Sequence, residues 1–416
     1  MTTIEITDVP TVWCSEVELT SGDHHRIEAP ADAQLARLLV RYRRDPLGFV
    51  QLATTGEAIG TDELVAGLPA AAQRRLADLR MAGGPVDDRI GADTPSVTVV
   101  VCTRNRGPEL RDCLAGLLTV DYPELDFVIV DNAPSDDSTR RIVEETVGQD
   151  ARFSYVLEPV PGLSRARNRG LQVARGTIVA YTDDDVRVDR GWVTGLVQGF
   201  ARRADVACVT SLVCTASISS PSEHYFDARV SWGERCEPRL YDAVAPDGDP
   251  LYPYSAGIFG TGAGMAFRTA VIRELGGFDE ALGAGTRSAG GEDLDAFVRV
   301  LQGGHALAYE PASLVWHSHR ADLGGLRRQM YSYGTGLTAF YMKHLLSRST
   351  RTELLRRVPK GVVKLAAVPK DTNRAVGQVE VPTRELMLRE LAGMAAGPVL
   401  YLRSRRNVAT TIPLES

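Results

Sequence analysis

The stretch Thr177-Ile178-Val179-Ala180-Tyr181-Thr182-Asp183-Asp184-Asp185 decides how this chain reads, because a β-branched, apolar run ends abruptly in three carboxylates. An uninterrupted apolar run is what a strand buried on both faces of a parallel sheet needs. Ligands of such sheets bind outside the carboxyl ends of the strands, so acids at a strand end are acids at a binding edge. Continued strand alternation puts Asp183 and Asp185 on one side and Asp184 on the other. Two carboxylates side by side repel unless a cation or a donor neutralises them. A hard divalent ion, Mg2+ or Mn2+, bridging carboxylate and diphosphate oxygens meets that need. The plain alternative is an acidic turn ahead of Asp189-Arg190.

Upstream, residues 96–102 (SVTVVVC), 125–131 (LDFVIVD) and 153–157 (FSYVL) are apolar strands of the same kind, separated by helical segments at 108–118, 136–147 and 163–174. This alternation implies right-handed crossovers and a mostly parallel sheet. Its carboxyl edge then gathers Thr103-Arg104-Asn105, Asp131-Asn132 and the acidic triplet. Downstream, residues 306–309 form a short strand before a turn at Glu310-Pro311.

Four further groups bear on chemistry. Asp131 can accept from a ribose hydroxyl or a base N–H, unless it merely opens the turn at Ala133-Pro134-Ser135-Asp136. Arg165, Arg167 and Arg169 lie at a helix N-terminus, where backbone N–H groups already favour anions. There they stack on a base or fork onto phosphate, or else form a solvated basic face. Gly290-Gly291-Glu292-Asp293-Leu294-Asp295 opens a helix with Leu294, Phe297, Val298 and Leu301 on one face, so Glu292 and Asp293 face the glycine-rich loop 283–291. First-turn acids ordinarily complement the helix dipole, yet a carboxylate there also stays ionised, as a general base must. Gly290 and Gly291 are expected to leave room for an acceptor. Val315-Trp316-His317-Ser318-His319 supplies two imidazoles, either of which could join Asp185 at a metal, or be structural.

Together these pieces resemble glycosyltransferase family 2, the large inverting family with the GT-A fold, in its bacterial form. They occur in the family's order: Thr103-Arg104-Asn105-Arg106, Val130-Asp131-Asn132, Gly162 through Gly170, Thr182-Asp183-Asp184-Asp185, Leu275-Gly276-Gly277-Phe278-Asp279, Gly291-Glu292-Asp293 and Trp316-His317. The resemblance implies an α/β, GT-A nucleotide-diphospho-sugar transferase fold with a mostly parallel central sheet. It implies that Thr103, Arg104, Asn105 and Asp131 hold base and ribose, that Arg167 assists nucleotide binding and that Asp183 touches the ribose. Asp185 would hold the metal on the diphosphate, with His317 as a further ligand and His319 as its rival. Asp184, the middle residue of the family's Asp-any-Asp motif, lies on the nucleotide side with no role of its own. Asp293 would be the base, Glu292 a neighbour able to exchange roles with it, and residues 275–279 the acceptor-side element.

The 416 residues are too many for one ordinary core. Residues 1–93 read as a small N-terminal domain of unassigned role, 94–320 as the transferase domain and 321–416 as a helical region. In the last, Leu326, Met330, Tyr333, Leu337 and Phe340 form one stripe, and a helix capped by Thr383 runs through Leu388 and Leu391 to Arg403, Arg405 and Arg406. Both stripes are expected to pack on the transferase domain, while the arginines leave peripheral membrane contact through the C-terminal helices open. A net charge of −6 and a pI near 5.8 give no reason to expect nucleic-acid binding. Six cysteines without a CxxC pair read as buried thiols, not a zinc site. No leader is visible in MTTIEITDVPTVW, and residues 391–402, broken by Gly397 and Pro398, are too short to span a bilayer. The expectation is a cytoplasmic protein, or one peripheral at the inner face of the membrane. Its partners would be a nucleotide-diphosphate sugar donor and a hydroxyl acceptor, whether glycan, lipid-linked or secondary metabolite.

Other classes fit less well. A sugar-phosphate nucleotidyltransferase wants a lysine-bearing phosphate loop after the first strand, and Cys102-Thr103-Arg104-Asn105-Arg106-Gly107 has no lysine. For a dinucleotide oxidoreductase, Gly260, Gly262 and Gly264 come too late. A catalytically silent nucleotide-sugar-binding protein has no use for Asp183, Asp185 and Asp293 together.

Overall fold

The computed structural model describes residues 10–20, 26–54, 57–82, 94–230, 235–244, 249–255, 257–357 and 381–411. In the N-terminal part, β1 (Val12–Leu19) pairs with β3 (Leu35–Tyr42) in parallel, and β4 (Asp45–Ala53) folds back on β3. A ribbon of β2 (Arg26–Ile27) with β5 (Ile59–Gly60), together with α1 (Thr61–Gly67) and α2 (Ala70–Ala82), closes a core of Val17, Leu38, Val40, Leu64 and Leu76. Residues 1–9 of the segment read for a leader lie outside the described residues.

The apolar runs from Val97 onward form β6 (Val97–Thr103), β7 (Leu125–Asn132), β8 (Phe153–Glu158) and β9 (Ile178–Asp183), separated by α3 (Pro108–Leu118), α4 (Ser138–Val147) and α5 (Leu163–Val173). They pair in parallel in the order β9-β6-β7-β8. Alternate residues of each strand feed two cores. Val100, Cys102, Val128 and Val130 enter one, and Val99, Val101, Phe127 and Ile129 the other. Each fully buried Val, Leu or Phe side chain contributes about 1.5–3 kcal/mol by leaving water, which pins the register of the sheet and hence the position of its carboxyl edge. β8 departs from expectation: it is a half-exposed edge strand, not a buried one.

After Asp183 come β10 (Val186–Val188), α6 (Trp192–Ala201), β11 (Val206–Thr215), β12 (Ser217–Ile218), α7 (Pro221–Val230), β13 (Arg239–Tyr241), β14 (Gly264–Arg268), α8 (Thr269–Glu274), α9 (Glu292–Gln302) and β15 (Ala306–His317). Among the described residues the sheet has nine strands, in the order β10-β15-β11-β14-β9-β6-β7-β8 with β13 beside β15, and β14 lies antiparallel between β9 and β11. The expected turn at Glu310-Pro311 is instead an irregularity within one twelve-residue strand, where the β11 register shifts between Ser211 and Leu212. A shift of this kind accommodates a proline that cannot donate to the ladder. β12 adds to the N-terminal sheet, antiparallel to β1, so the segments read as separate domains share a sheet. Buried Arg41 locks the join, pairing with Glu16 at 2.7 Å and with Asp189 at 2.8 Å.

Beyond the sheet, α10 (Leu323–Leu346) and α11 (Thr383–Thr411) form a close-packed pair. Asp322 caps α10 by accepting from Gly325 N at 2.6 Å. Pro398 within α11 cannot donate to the carbonyl of Met394, and the Thr338 hydroxyl of α10 donates to that carbonyl instead, at 2.9 Å. A Cβ at Gly397 would lie 2.0 Å from Thr338 Oγ1, so the approach requires glycine. The α10 stripe packs as expected, with Leu326, Met330 and Phe340 buried. The α11 stripe does not: Leu388 is 61% and Leu391 50% exposed, and Leu386, Gly393, Gly397 and Tyr401 face inward instead. Among the described residues no helix is long and apolar enough to cross a membrane.

The helical pair is tied to the sheet through Asp295 of α9, which is fully buried and lies 2.8 Å from Arg299 Nε, 2.7 Å from Lys343 Nζ and 3.4 Å from His344 Nε2. Burial alone would raise its carboxyl, but Lys343 and Arg299 outweigh burial and hold it well below the usual carboxylate range. A group depressed on folding stabilises the fold above its unfolded pKa of ~3.9 and loses that contribution as pH falls towards its folded value. The wild type is therefore expected to lose stability below about pH 4. Asp295→Asn, which leaves buried cations uncompensated, is expected to cost about 3–5 kcal/mol at pH 7 and to flatten that acid limb. Denaturant titrations at pH 7 and pH 3 check both. An unchanged midpoint at pH 7 would dismiss the network.

Candidate active site

The carboxyl edge of β6, β7 and β9 brings together the polar ends read from the sequence, with Thr103 opposite Asp131 and Cys102 opposite Asp183. Asp131 is fully buried, and its Oδ2 accepts from Tyr155 OH at 2.7 Å. Burial raises its carboxyl against the Tyr155 and Thr139 hydroxyls, which lower it. Asn132 braces the loop to α5, accepting from Gly162 N at 2.8 Å and donating to Val160 O at 2.8 Å. Arg104 and Asn105 are exposed; Asn105, at φ 54°, accepts from Ser135 N at 2.9 Å and so binds the loop after β6 to that after β7.

The triplet separates into three environments. β9 ends at Asp183, so the strand alternation expected to continue through Asp185 stops there. Asp183 faces Arg167 at 3.3 Å. Asp184 turns inward against the Thr103 hydroxyl and Arg106 Nε, 3.6 Å away, and burial pushes its carboxyl up to about 6. Burial likewise raises Asp183, against the pull of Arg167. Asp185 lies 3.6 Å from His317 Nε2, with Arg106 at 3.5 Å and Arg320 at 3.7 Å. His319 stands behind His317, the two Nδ1 atoms 3.3 Å apart, and burial pushes it down to about 3. The geometry therefore turns His317, and not His319, towards Asp185.

An aspartate oxygen beside an imidazole nitrogen is a donor pair that Mg2+ or Mn2+ accepts. Among the described residues no group of three His, Cys, Asp or Glu side chains suited to a metal occurs. Such a pair fits an ion whose remaining positions are filled by diphosphate oxygens and water, the usual manner for Mg2+ at phosphates.

Arg167 is 2% exposed, so its guanidinium is structural at this edge and does not reach out over a base. Nη1 donates to Glu292 Oε1 at 2.9 Å while Nη2 reaches Asp183 Oδ1, and the Phe278 ring lies beneath it. One buried cation thus joins the strand-end acids to the first turn of α9. Glu292 is buried in this pair, whereas Asp293 is partly exposed and accepts from Gly262 N at 2.9 Å through Oδ2. A Cβ at Gly291, φ 87°, would lie 2.6 Å from Gly336 O, so this glycine lets α10 approach the start of α9.

Several contributors escaped the sequence reading. Arg106 belonged to a recognised motif but drew no role, and Arg320 followed the last motif by three residues. Tyr333, read only as part of an apolar stripe, brings its phenol near Asp293 and Asp183, and burial followed by those charges raises it.

The family model described as glycosyl transferase family 2 matches residues 98–271. By this match, residues 98–271 are similar to glycosyl transferase family 2. The mostly parallel sheet with helices on both faces is the GT-A arrangement expected of that family. Over 257 residues the chain is 27% identical to the pre-mycofactocin glycosyltransferase of Mycobacterium tuberculosis, covering 61% of this chain and 49% of that protein. It is 24% identical over 226 residues to the glucosyl-dolichyl phosphate glucuronosyltransferase of Haloferax volcanii, covering 53% and 68%. The chain thus spans about half the length of the first of these relatives. Among solved structures, a mannosyltransferase of Pyrobaculum calidifontis in complex with GDP-Man and Mn2+ aligns over 82% of this chain and 94% of its own, with 21% identity and a TM-score of 0.47.

Proposed function

We propose that the protein is an inverting glycosyltransferase that moves a sugar from a nucleoside-diphosphate donor to an acceptor hydroxyl in a single displacement. One observation carries the reading: buried Arg167 fastens Asp183 and Glu292 together, so a donor-side acidic edge and an acceptor-side carboxylate, Asp293, share one crevice. Thr103, Arg104, Asn105 and Asp131 line the nucleoside side, with Asp183 towards the ribose and Asp184 below it. Asp185 and His317 would hold Mg2+ or Mn2+, which when bound neutralises charge on the departing diphosphate. Arg106 and Arg320, flanking Asp185, are placed to fork onto the same phosphates. Asp293 accepts the proton of the acceptor hydroxyl as its oxygen bonds to the anomeric carbon; the bond to the diphosphate breaks and the nucleoside diphosphate leaves with the electron pair. Glu292, committed to Arg167, holds the first turn of α9 in place.

The scheme uses one carboxylate, Asp293, as base and assigns no residue as a covalent nucleophile, so the product anomer is expected to be inverted. Thermal-shift screening of UDP, GDP and dTDP sugars with Mn2+ present identifies the donor, and NMR of the freshly formed product reads the anomer. No stabilisation by any nucleoside diphosphate would defeat the transferase reading, and retained configuration would defeat the single displacement. The acceptor is a hydroxyl on a glycan, a lipid-linked sugar or a small metabolite. The exposed Leu388, Leu391, Val399 and Leu402 of α11, set between Arg384 and Arg406, suit peripheral contact with an anionic bilayer when that acceptor is lipid-linked.

A further inference from the structure

The histidine pair beside Asp185 is the end of a hydrogen-bonded chain that starts in the N-terminal sheet. Arg37 of β3, lying over the Phe49 ring, donates from Nη1 to Asp227 Oδ2 of α7 at 2.7 Å. A carboxylate is an acceptor only, so the Thr215 hydroxyl at the end of β11 gives its proton to Asp227 Oδ1. Thr215 then has only lone pairs to offer His319 Nε2, 2.9 Å away, and that nitrogen carries a proton. His319 is buried edge-on to Phe226, with ring centroids 4.7 Å apart, where a second positive charge near Arg37 would be poorly solvated. Its ring is neutral and its Nδ1 an acceptor, so His317 Nδ1, 3.3 Å away, is the donor. The lone pair of His317 therefore sits on Nε2, the atom turned towards Asp185 Oδ1 at 3.6 Å.

We propose that Arg37, Asp227, Thr215 and His319 are positioning residues that hold His317 in its Nδ1–H tautomer, so that Nε2 is presented to the divalent ion beside Asp185. That tautomer is the opposite of the one a neutral imidazole prefers in water. Outer partners that fix a ligating imidazole typically change metal affinity 10–100-fold. The proposal rests on the metal reading above and gives the N-terminal sheet a task, because the polarity of the relay is set by the Arg37–Asp227 ion pair.

Two readouts on the full chain test it: Mn2+ binding, followed by the loss of the free-ion EPR signal, and the ring 15N shifts of His317. Thr215→Val keeps the β-branched shape of a strand residue and removes the hydroxyl. It is expected to weaken Mn2+ binding about 10-fold or more and to turn the His317 shifts into a tautomer mixture, with Thr215→Ser restoring both. His317→Ala should weaken Mn2+ at least as much and make Thr215→Val silent in its background. Wild-type Mn2+ affinity and shifts in Thr215→Val would overturn the relay and leave the metal site standing. Unchanged Mn2+ affinity in His317→Ala would overturn both.

Discussion

Asp185→Ala is expected to yield a folded protein with no measurable transfer and no metal-dependent gain in donor binding. A diphosphate brings negative charge to an edge that already holds Asp183 and Asp184, and burial disfavours charge on both of these carboxylates. Without a divalent ion held by Asp185 and His317, Arg106 and Arg320 must meet that charge alone. Metal stabilisation of developing charge is worth several kcal/mol, so a loss of ~10³-fold or more in turnover follows at ~1.4 kcal/mol per decade. Stability should move the other way. Removing one of three adjacent like charges relieves repulsion, so the unfolding midpoint should match or exceed that of wild type. Product formation under Mn2+ titration, together with thermal unfolding, separates the two effects. A variant that transfers at the wild-type rate, or a wild-type enzyme indifferent to excess chelator, would reject the metal assignment; a variant that fails to fold would assign Asp185 a structural task instead.

The half of the sheet that was legible in the sequence was legible for a physical reason. β6, β7 and β9 are buried on both faces, so their sequences carry continuous apolar runs, and their polar ends mark the edge directly. β14 was missed because five residues, Gly264–Arg268, carry little periodicity, and its antiparallel place between β9 and β11 is fixed by partners far away in sequence. Pro311 misled the reading of β15 because a proline usually ends a strand, whereas here the register shift absorbs it. The α11 stripe misled for a different reason: glycine contacts set the rotation of the helix pair, and hydrophobic periodicity does not encode them.

Within the candidate site, residue types were easier to read than their partnerships. Arginines at the start of α5 were visible as a cluster, but which one is buried depends on Glu292, 125 residues away, and on Asp183. His317 and His319 were indistinguishable as letters. Their order along the path from Asp185 comes from Thr215 and Asp227, which no spacing rule connects to a histidine pair. The same distinction, between the residue that reaches the crevice and the residue that holds it in place, separates Asp293 from Glu292.

Asp293→Asn is expected to lower turnover at least ~10²-fold, within the ~10²–10⁴ span of general-base assistance, while donor affinity stays near wild type. The acceptor hydroxyl, whose pKa lies far above neutrality, must shed its proton as it attacks, and an amide cannot take that proton. Geometry favours Asp293 over its neighbour: Gly262 N holds Oδ2 at 2.9 Å while the side chain remains partly exposed, and Glu292 is buried on Arg167. Donor affinity should survive, because Asp131, Asp183 and the Asp185–His317 pair are untouched and the amide oxygen can still accept from Gly262 N. Glu292→Gln makes the contrasting prediction. It weakens a buried charge pair, where removing one partner typically costs about 3–5 kcal/mol, so its signature is a lower unfolding midpoint accompanying whatever activity is lost. Michaelis parameters and denaturant titrations on both variants decide between the roles. If Asp293→Asn keeps its turnover while Glu292→Gln loses turnover at an unchanged midpoint, the base is Glu292, and Asp293 belongs instead to the frame that orients the acceptor.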